Sequence, residues 1–151
     1  MRDFDQLVTE AEAAPIHGWD FSWLDGRATE ARPSWHFRER VAERAATATV
    51  MLELSCGDGA LLASLPHVPP VLVATEGYPP NAGIAASRVA NVIATHDNEL
   101  PLRDESFDLV TCRHPIMSWW TEIARVLEPG GAYVAQHVGA GSGHELTSWL
   151  M

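Results

Sequence analysis

The sequence predicts an α/β protein whose doubly wound, mainly parallel sheet of about five strands carries helices on both faces. Short apolar segments alternate with helical patterns over most of the chain. Residues 71–74, 109–112 and 133–138 are continuously or almost continuously apolar, which is typical of parallel strands covered on both faces. In residues 50–62 an apolar segment ends in an acidic residue, passes through alternate glycines and continues as a helix. Together these patterns favour an open sheet with the strand order 3-2-1-4-5.

The expected elements follow one another along the chain without an internal repeat or a linker. An N-terminal helix is expected over residues 3–14, where acidic and apolar residues alternate at helical spacing. A second helix is expected from Trp35 to about Ala46, with Ser34 as its cap. The later elements are strands 49–54, 71–76, 91–96, 107–112 and 132–138, helices 59–65, 80–88, 118–127 and 144–150, and a turn at residues 129–131.

The length of 151 residues predicts one domain. Residues 1–34 are expected to form the N-terminal helix and a lid-like loop rich in aromatic residues, residues 35–138 the core, and residues 139–151 a C-terminal helix. The net charge is −10 at pH 7, and the ten basic residues are scattered arginines. Because such a surface repels phosphate backbones, nucleic acid is an unlikely partner.

The ends and the cysteines of the chain indicate a cytoplasmic protein without a metal site. The first residues lack the apolar segment of a signal peptide. No apolar run approaches the roughly 20 residues of a membrane span, so no membrane partner is expected. Cys56 and Cys112 show no metal-binding spacing, which fits a reducing compartment, and a nucleophilic role for either thiol is the less favoured interpretation.

The loop formed by residues 55–59 is the first candidate site. Its glycines allow the backbone to approach a ligand closely, and the helix that follows offers free N–H groups. Glu76 ends the next strand about 20 residues later, where nucleotide-binding α/β folds place a carboxylate for the ribose hydroxyls. The third glycine of a dinucleotide fingerprint is replaced by Leu62, which disfavours a nicotinamide-dependent oxidoreductase. The loop therefore predicts an adenosine-containing ligand.

The order of the motifs resembles the class I, Rossmann-like S-adenosylmethionine-dependent methyltransferases. The resemblance covers about residues 35–138, and compared with the family the expected core lacks a C-terminal strand hairpin. It therefore implies cofactor binding more firmly than turnover. Five segments in order carry it: acidic-x-x-x-Gly-x-Gly at residues 53–59, Glu76-Gly77-Tyr78, Asp97-Asn98, the Leu-Pro to Ser-Phe-Asp segment at residues 100–110, and the Arg-Val-Leu-Glu-Pro-Gly-Gly segment at residues 122–131.

The resemblance implies a role for each matching residue. Glu53 would neighbour the amino group of the methionine part of S-adenosylmethionine. Glu76 would accept hydrogen bonds from both ribose hydroxyls, because a carboxylate suits a diol with two donors. Gly77 and Tyr78 would border the adenine, and a residue after the third strand would address its amino edge. The implied cofactor-binding residues are Glu53, Ser55, Cys56, Gly57, Gly59, Glu76, Gly77, Tyr78, Asp97 and Asn98.

Several residues outside the shared motifs are candidates for the acceptor side. His114 follows the fourth strand and is either a general base, since an imidazole accepts protons near neutral pH, or a gate or packing residue. Trp19 and Trp23 belong either to a lid, with Arg27 reaching the cofactor carboxylate, or to an edge strand packed on the sheet. Trp119 either walls a substrate pocket or packs a helix.

The leading functional interpretation is a methyltransferase that transfers a methyl group to a small-molecule acceptor. An RNA base methyltransferase is an alternative, against which the acidic surface argues. A non-catalytic S-adenosylmethionine-binding or interaction module is another. Strand 132–138 has no Lys, Pro or acidic residue to discourage pairing, so a homodimer through this sheet edge is expected, unless residues 139–151 fold back over it.

Overall fold

The computed structural model describes residues 3–15, 22–27 and 33–151. Five strands form one sheet with the order β3-β2-β1-β4-β5, and all four pairings are parallel. The fold class and strand order expected from the sequence are therefore confirmed. The strands are β1 (Val50–Leu54), β2 (Val71–Glu76), β3 (Val92–Ala94), β4 (Phe107–Arg113) and β5 (Leu127–Gln136). The α-helices are α1 (Phe4–Glu12), α2 (Phe37–Ala45), α3 (Ala60–Ala63), α4 (Pro79–Ala86), α5 (Trp120–Val126) and α6 (His144–Leu150).

Strand β1 is the centre of the sheet. Met51 pairs with Leu72 of β2 on one side and with Leu109 of β4 on the other. The chain runs outward from β1 to β2 and β3, and then returns to the other side for β4 and β5. The carboxyl ends of parallel strands therefore meet at one edge, and a crevice is expected where the strand order reverses.

The core consists of two clusters that follow the alternation of side chains along the strands. Met51 belongs to the first cluster, with Phe37, Val41 and Ala45 from α2. The second cluster contains Leu52 and Leu54 from β1, Val110 and Cys112 from β4, and Ile123 and Val126 from α5. Both faces of β1 are thus covered, as its apolar sequence predicts.

Two local expectations are wrong. Helix α2 begins at Phe37 with His36 as its N-cap residue, so Ser34 does not cap it. The first buried side chain of the helix is Phe37, and packing decides the start more than the local cap signal does.

The expected turn at residues 129–131 lies inside β5. Phe107 pairs with Leu127 and Leu109 pairs with Ala132, so residues 128–131 bulge out of the ladder between these pairings. Gly130 has φ +90, and a Cβ on Gly131 would lie 3.0 Å from the carbonyl oxygen of Phe107. The glycines therefore fit a tight bulge within one strand.

The C-terminal helix α6 forms where the sequence predicts it. Its described side chains are all exposed, including Trp149 at 81%. The side chains of α6 that the structure describes are therefore not buried against the edge strand β5, and the homodimer through this edge stays a prediction. No helix of the described ranges has the length and apolarity that a membrane crossing requires.

Candidate active site

The predicted site residues at the ends of β1, β2 and β3 come together at the carboxyl edge of the sheet. Glu53 and Glu76 are buried, whereas the glycine loop between β1 and α3 is partly open to solvent. The structure joins Glu76, Ser55 and Asp97 through hydrogen bonds with this loop and its neighbours. The sequence distance between them is large, so the parallel sheet alone creates the site.

The Glu76 carboxylate is held by two backbone N–H groups and is only 7% exposed. The N–H of Gly57 donates to Oε2 at 2.7 Å, and the N–H of Tyr78 donates to Oε1 at 2.8 Å. Gly57 has φ +61, a conformation that favours glycine. Because a carboxylate has about four acceptor positions, each oxygen can still accept a hydrogen bond from a ligand. Glu76 is thus a fixed pair of acceptors beside the loop.

Asp97 is held by two hydroxyl groups. Ser55 Oγ donates to Asp97 Oδ2 at 2.5 Å, and Thr75 Oγ1 donates to Oδ1 at 2.7 Å. Thr75 also accepts the N–H of Ser55, which has φ +49. The network fixes the loop to β2 and to the segment after β3. Asn98 is exposed beside it, and the adenine roles implied for Asp97 and Asn98 stay predictions.

Glu53 is a buried acid, only 1% exposed. Its burial raises the pKa of this carboxyl from 4.5 to about 7, while the Thr111 hydrogen bond and the charge of Arg113 act in the opposite direction. The Thr111 hydroxyl donates to the carboxylate directly. Near neutral pH the carboxyl is therefore divided between its protonated and charged forms, and a bound cation would favour the charged form.

Gly59 serves packing as well as conformation. It has φ +76, and a Cβ there would lie 3.3 Å from Cα of Ala85 in α4 and 3.3 Å from Cγ2 of Val89, which follows that helix. The expected free N–H groups at the start of α3 are partly taken, because Asp58 Oδ1 accepts the N–H of Ala60 at 3.0 Å. Of the two loop glycines, Gly57 donates its N–H to Glu76, whereas Gly59 packs the loop closely against α4.

The surroundings of both cysteines disfavour the thiolate form. Burial, with the charges of Glu76 and Glu53 adding to it, raises the pKa of Cys56 to about 12. Burial also raises the pKa of Cys112. Both thiols therefore stay protonated, and Cys56 is a small residue of the loop. In the part of the chain that the structure describes, no group of three or more His, Cys, Asp or Glu side chains could hold a metal ion.

His114 lies at the carboxyl end of β4 in a left-handed conformation. Its φ is +57, its side chain is exposed, and its N–H donates to the carbonyl of Gln136 at 2.8 Å. A non-glycine residue in this region is strained, and such residues are enriched at functional sites. The structure therefore fixes the backbone of His114 at this edge, and its role stays a prediction.

Two tryptophans lie at the start of α5. Trp119 precedes α5 and is exposed. Trp120 packs edge-on against Tyr133, with ring centroids 5.6 Å apart, and stacks on His137 at 6.5 Å. Trp120 is nevertheless 62% exposed. Trp120 thus covers part of β5, and the substrate-pocket role of Trp119 stays a prediction.

The expected lid is only partly described. Trp19 lies outside the described residues, whereas Trp23 and Arg27 lie within them. The Arg27 guanidinium pairs with Glu10 of α1 and lies 4.5 Å above the Trp23 ring. Arg27 is thus already paired with an acidic side chain of α1, and its role toward a cofactor carboxylate stays a prediction.

Three residues of the site were not predicted from the sequence. Thr75 and Thr111 are fully buried and hold Asp97 and Glu53, respectively. The sequence feature that indicates Thr75 and Thr111 is a single hydroxyl side chain near the carboxyl end of a mostly apolar strand. His96 lies against Gly77, and its signal was a polar residue directly before Asp97.

Solved structures with the same fold include methyltransferases, while no curated protein sequence matches this chain. A Streptomyces coelicolor A3(2) geranyl diphosphate C-methyltransferase is 14% identical with a TM-score of 0.59, over 66% of this chain and 44% of that one. A sugar N-methyltransferase from a Streptoalloteichus species is 24% identical with a TM-score of 0.58, over 85% of this chain and 57% of that one. A protein from Methanococcus maripaludis, assigned to the S-adenosyl-L-methionine-dependent methyltransferases, is 16% identical with a TM-score of 0.55, over 82% of this chain and 74% of that one.

These identities are low, so the structural similarity establishes the fold alone. The chain spans about half the length of the two enzymes from Streptomyces coelicolor and Streptoalloteichus. The sequence itself carries the assignment, and it agrees with the resemblance found in the motifs. Since the family model described as a methyltransferase domain matches residues 52–135, more than half of the chain, this protein belongs to that family of class I, Rossmann-like methyltransferases.

Proposed function

We propose that this chain binds S-adenosylmethionine at the carboxyl edge of β1 and β2 and transfers its methyl group to a small-molecule acceptor. The observation that carries the proposal is the Glu76 carboxylate, oriented by the N–H groups of Gly57 and Tyr78. Its free acceptor positions suit the two hydroxyls of a ribose. In support, the similar Streptomyces coelicolor enzyme was solved with S-adenosyl-L-homocysteine bound.

The charges of the site also suit this cofactor. S-adenosylmethionine carries a sulfonium and an ammonium group, and the acidic side chains of Glu53, Glu76 and Asp97 lie at this edge. An ammonium group beside Glu53 would stabilise the carboxylate that burial disfavours. The residues present therefore fit the cofactor at both its ribose and its methionine ends.

The acceptor is expected on the side of His114 and the tryptophans. When bound, S-adenosylmethionine supplies a methyl group that leaves sulfur for a nucleophilic acceptor atom, the sulfur keeping the electron pair. For such a displacement, positioning of the acceptor is the main contribution of the protein. We assign this positioning to Trp119 and Trp120, and we assign to His114 the proton that the acceptor loses. Acceptors of the similar enzymes are small molecules, geranyl diphosphate in one and a sugar in the other.

Calorimetry of the purified chain tests the cofactor. We expect saturable binding of S-adenosylhomocysteine and no binding of NAD, because the third glycine of the dinucleotide fingerprint is absent. Binding of NAD but not of S-adenosylhomocysteine would contradict the proposal.

Radiolabelled S-adenosylmethionine tests the acceptor class. We expect label transfer to members of a panel of sugars and prenyl diphosphates and none to RNA. Transfer to RNA alone would favour the RNA methyltransferase. Cofactor binding without transfer to any acceptor would favour the non-catalytic module.

A further inference from the structure

The carboxyl ends of β2 and β3 hold a contact between a glycine and a histidine that the shared motifs do not explain. A Cβ on Gly77 would lie 2.7 Å from Nδ1 of His96 and 3.0 Å from its Cε1. The φ of Gly77 is outside the left-handed region, so its backbone does not require glycine. In this structure the imidazole of His96 therefore occupies the volume that a side chain at position 77 would fill.

The residues on both sides of His96 are anchored to β2. The N–H of Thr95 donates to the carbonyl of Glu76 at 3.2 Å, and Asp97 accepts the hydroxyl of Thr75 at 2.7 Å. The side chain of His96 is exposed, so a ligand has access to it. The backbone of His96 thus has a fixed place directly beside the residue that follows Glu76, and its imidazole lies against that residue.

We propose that the imidazole of His96 forms the wall of the adenine subsite that a side chain at position 77 would otherwise form. The inference rests on the proposed function, in which Glu76 holds the ribose. Adenine is bonded directly to that ribose, so it must lie beside the neighbours of Glu76, namely Gly77 and the ring that covers it. A flat imidazole presents a π face to a purine, and such stacking contributes measurably to nucleobase binding.

A double-variant cycle tests the wall, with S-adenosylhomocysteine and adenosine as calorimetric probes. His96→Ala should weaken binding of both probes about tenfold, because the purine loses a stacking partner. Gly77→Val should weaken binding by a similar factor, since valine and imidazole compete for one volume. The double variant should recover affinity to within about threefold of the original chain, because the valine then fills the volume that the imidazole has left.

The control is His67→Ala, which removes an exposed imidazole from the loop before β2, at the opposite edge of the sheet. It should leave both affinities unchanged. If Gly77→Val does not fold, Gly77→Ala replaces it, since its single methyl group overlaps the imidazole as well.

The outcomes separate this inference from the proposed function. If the original chain binds neither probe, the proposed function and this inference both fail. If the original chain binds S-adenosylhomocysteine but His96→Ala binds it equally well, only the inference is overturned. Losses that simply add in the double variant overturn it too, because they show that the two positions do not share one volume.

Discussion

Replacing Glu53 by glutamine should stabilise the free protein at alkaline pH while it weakens cofactor binding. The folded chain raises the pKa of this carboxyl from 4.5 to about 7 through burial. Folded protein therefore holds the proton more tightly than unfolded protein does, and the free energy of unfolding falls as the pH rises from 4.5 to 7. Since each tenfold change in proton affinity corresponds to about 1.4 kcal/mol, the loss amounts to about 3 kcal/mol at pH 8.

Glutamine has the same shape and stays neutral, so the variant should lack this loss. Its amide oxygen can still accept the Thr111 hydroxyl, whereas its amide N–H groups cost about 1–3 kcal/mol if they find no partner. That cost is the same at every pH. The difference between two pH values is therefore the quantity that isolates the charge of Glu53.

Urea unfolding at pH 5 and pH 8 measures this difference. Because part of the loss has already occurred at pH 5, the original chain should lose about 2.5 kcal/mol more than Glu53→Gln does between the two pH values. The matched control is Glu128→Gln, which removes one charge from an exposed position and should follow the original chain. Identical pH dependence in the original chain and in Glu53→Gln would refute a raised pKa at Glu53.

The same variant separates stability from function. At pH 8, Glu53→Gln should bind S-adenosylhomocysteine at least tenfold more weakly, since a charge-assisted hydrogen bond contributes about 1.5–3 kcal/mol. In the original chain, affinity should rise from pH 6 to pH 8, because binding an ammonium group requires Glu53 to release its proton. Unaltered affinity of Glu53→Gln for S-adenosylhomocysteine would show that Glu53 does not contact the cofactor.

The remaining predictions concern the ribose acceptor, the glycine loop and the sheet edge. Glu76→Ala should lower the affinity for S-adenosylhomocysteine at least tenfold, measured by calorimetry, and an unchanged dissociation constant would exclude Glu76 from the site. Gly57→Val should abolish binding with a small loss of stability. Gly59→Val should also lower the midpoint of thermal unfolding, because its Cβ would lie 3.3 Å from Ala85. Normal binding in both variants would show that the loop is a turn and does not contact the cofactor. Light scattering should show a dimer that Val134→Lys weakens, whereas a monomer from micromolar to millimolar concentration would exclude pairing through β5.

The sequence predicted those parts of the fold that depend on local patterns and on the geometry of parallel sheets. Glu53 lies one residue before the end of its apolar strand and Glu76 lies at the end of the next one. Parallel strands bring their carboxyl ends to one edge, so the proximity of the two acids followed from the pattern. The bulge at residues 128–131 could not be predicted from the sequence pattern. Proline and glycine mark turns locally, whereas the pairing of Leu127 with Phe107 depends on a distant strand.

Polar contacts between different strands and loops could not be predicted from the sequence pattern either. A threonine is an ordinary strand residue, so the sequence does not reveal that Thr111 faces a buried acid. The contact between Gly77 and His96 joins two loops that follow different strands. A glycine in a sequence suggests an unusual backbone, whereas in the structure Gly77 leaves room for the imidazole of His96.

The position of β1 in the sheet has a consequence for the order of folding. Met51 pairs with Leu72, 21 residues later, and with Leu109, 58 residues later. Closing the longer loop costs about 1 kcal/mol more chain entropy than closing the shorter one. We therefore expect β1, β2 and β3 to assemble early and β4 to join in a later step, so that Glu53 becomes enclosed only when Thr111 arrives. Conservative substitutions in β2 should then slow refolding, whereas those in β4 should mainly speed unfolding, and equal effects in both strands would contradict this order.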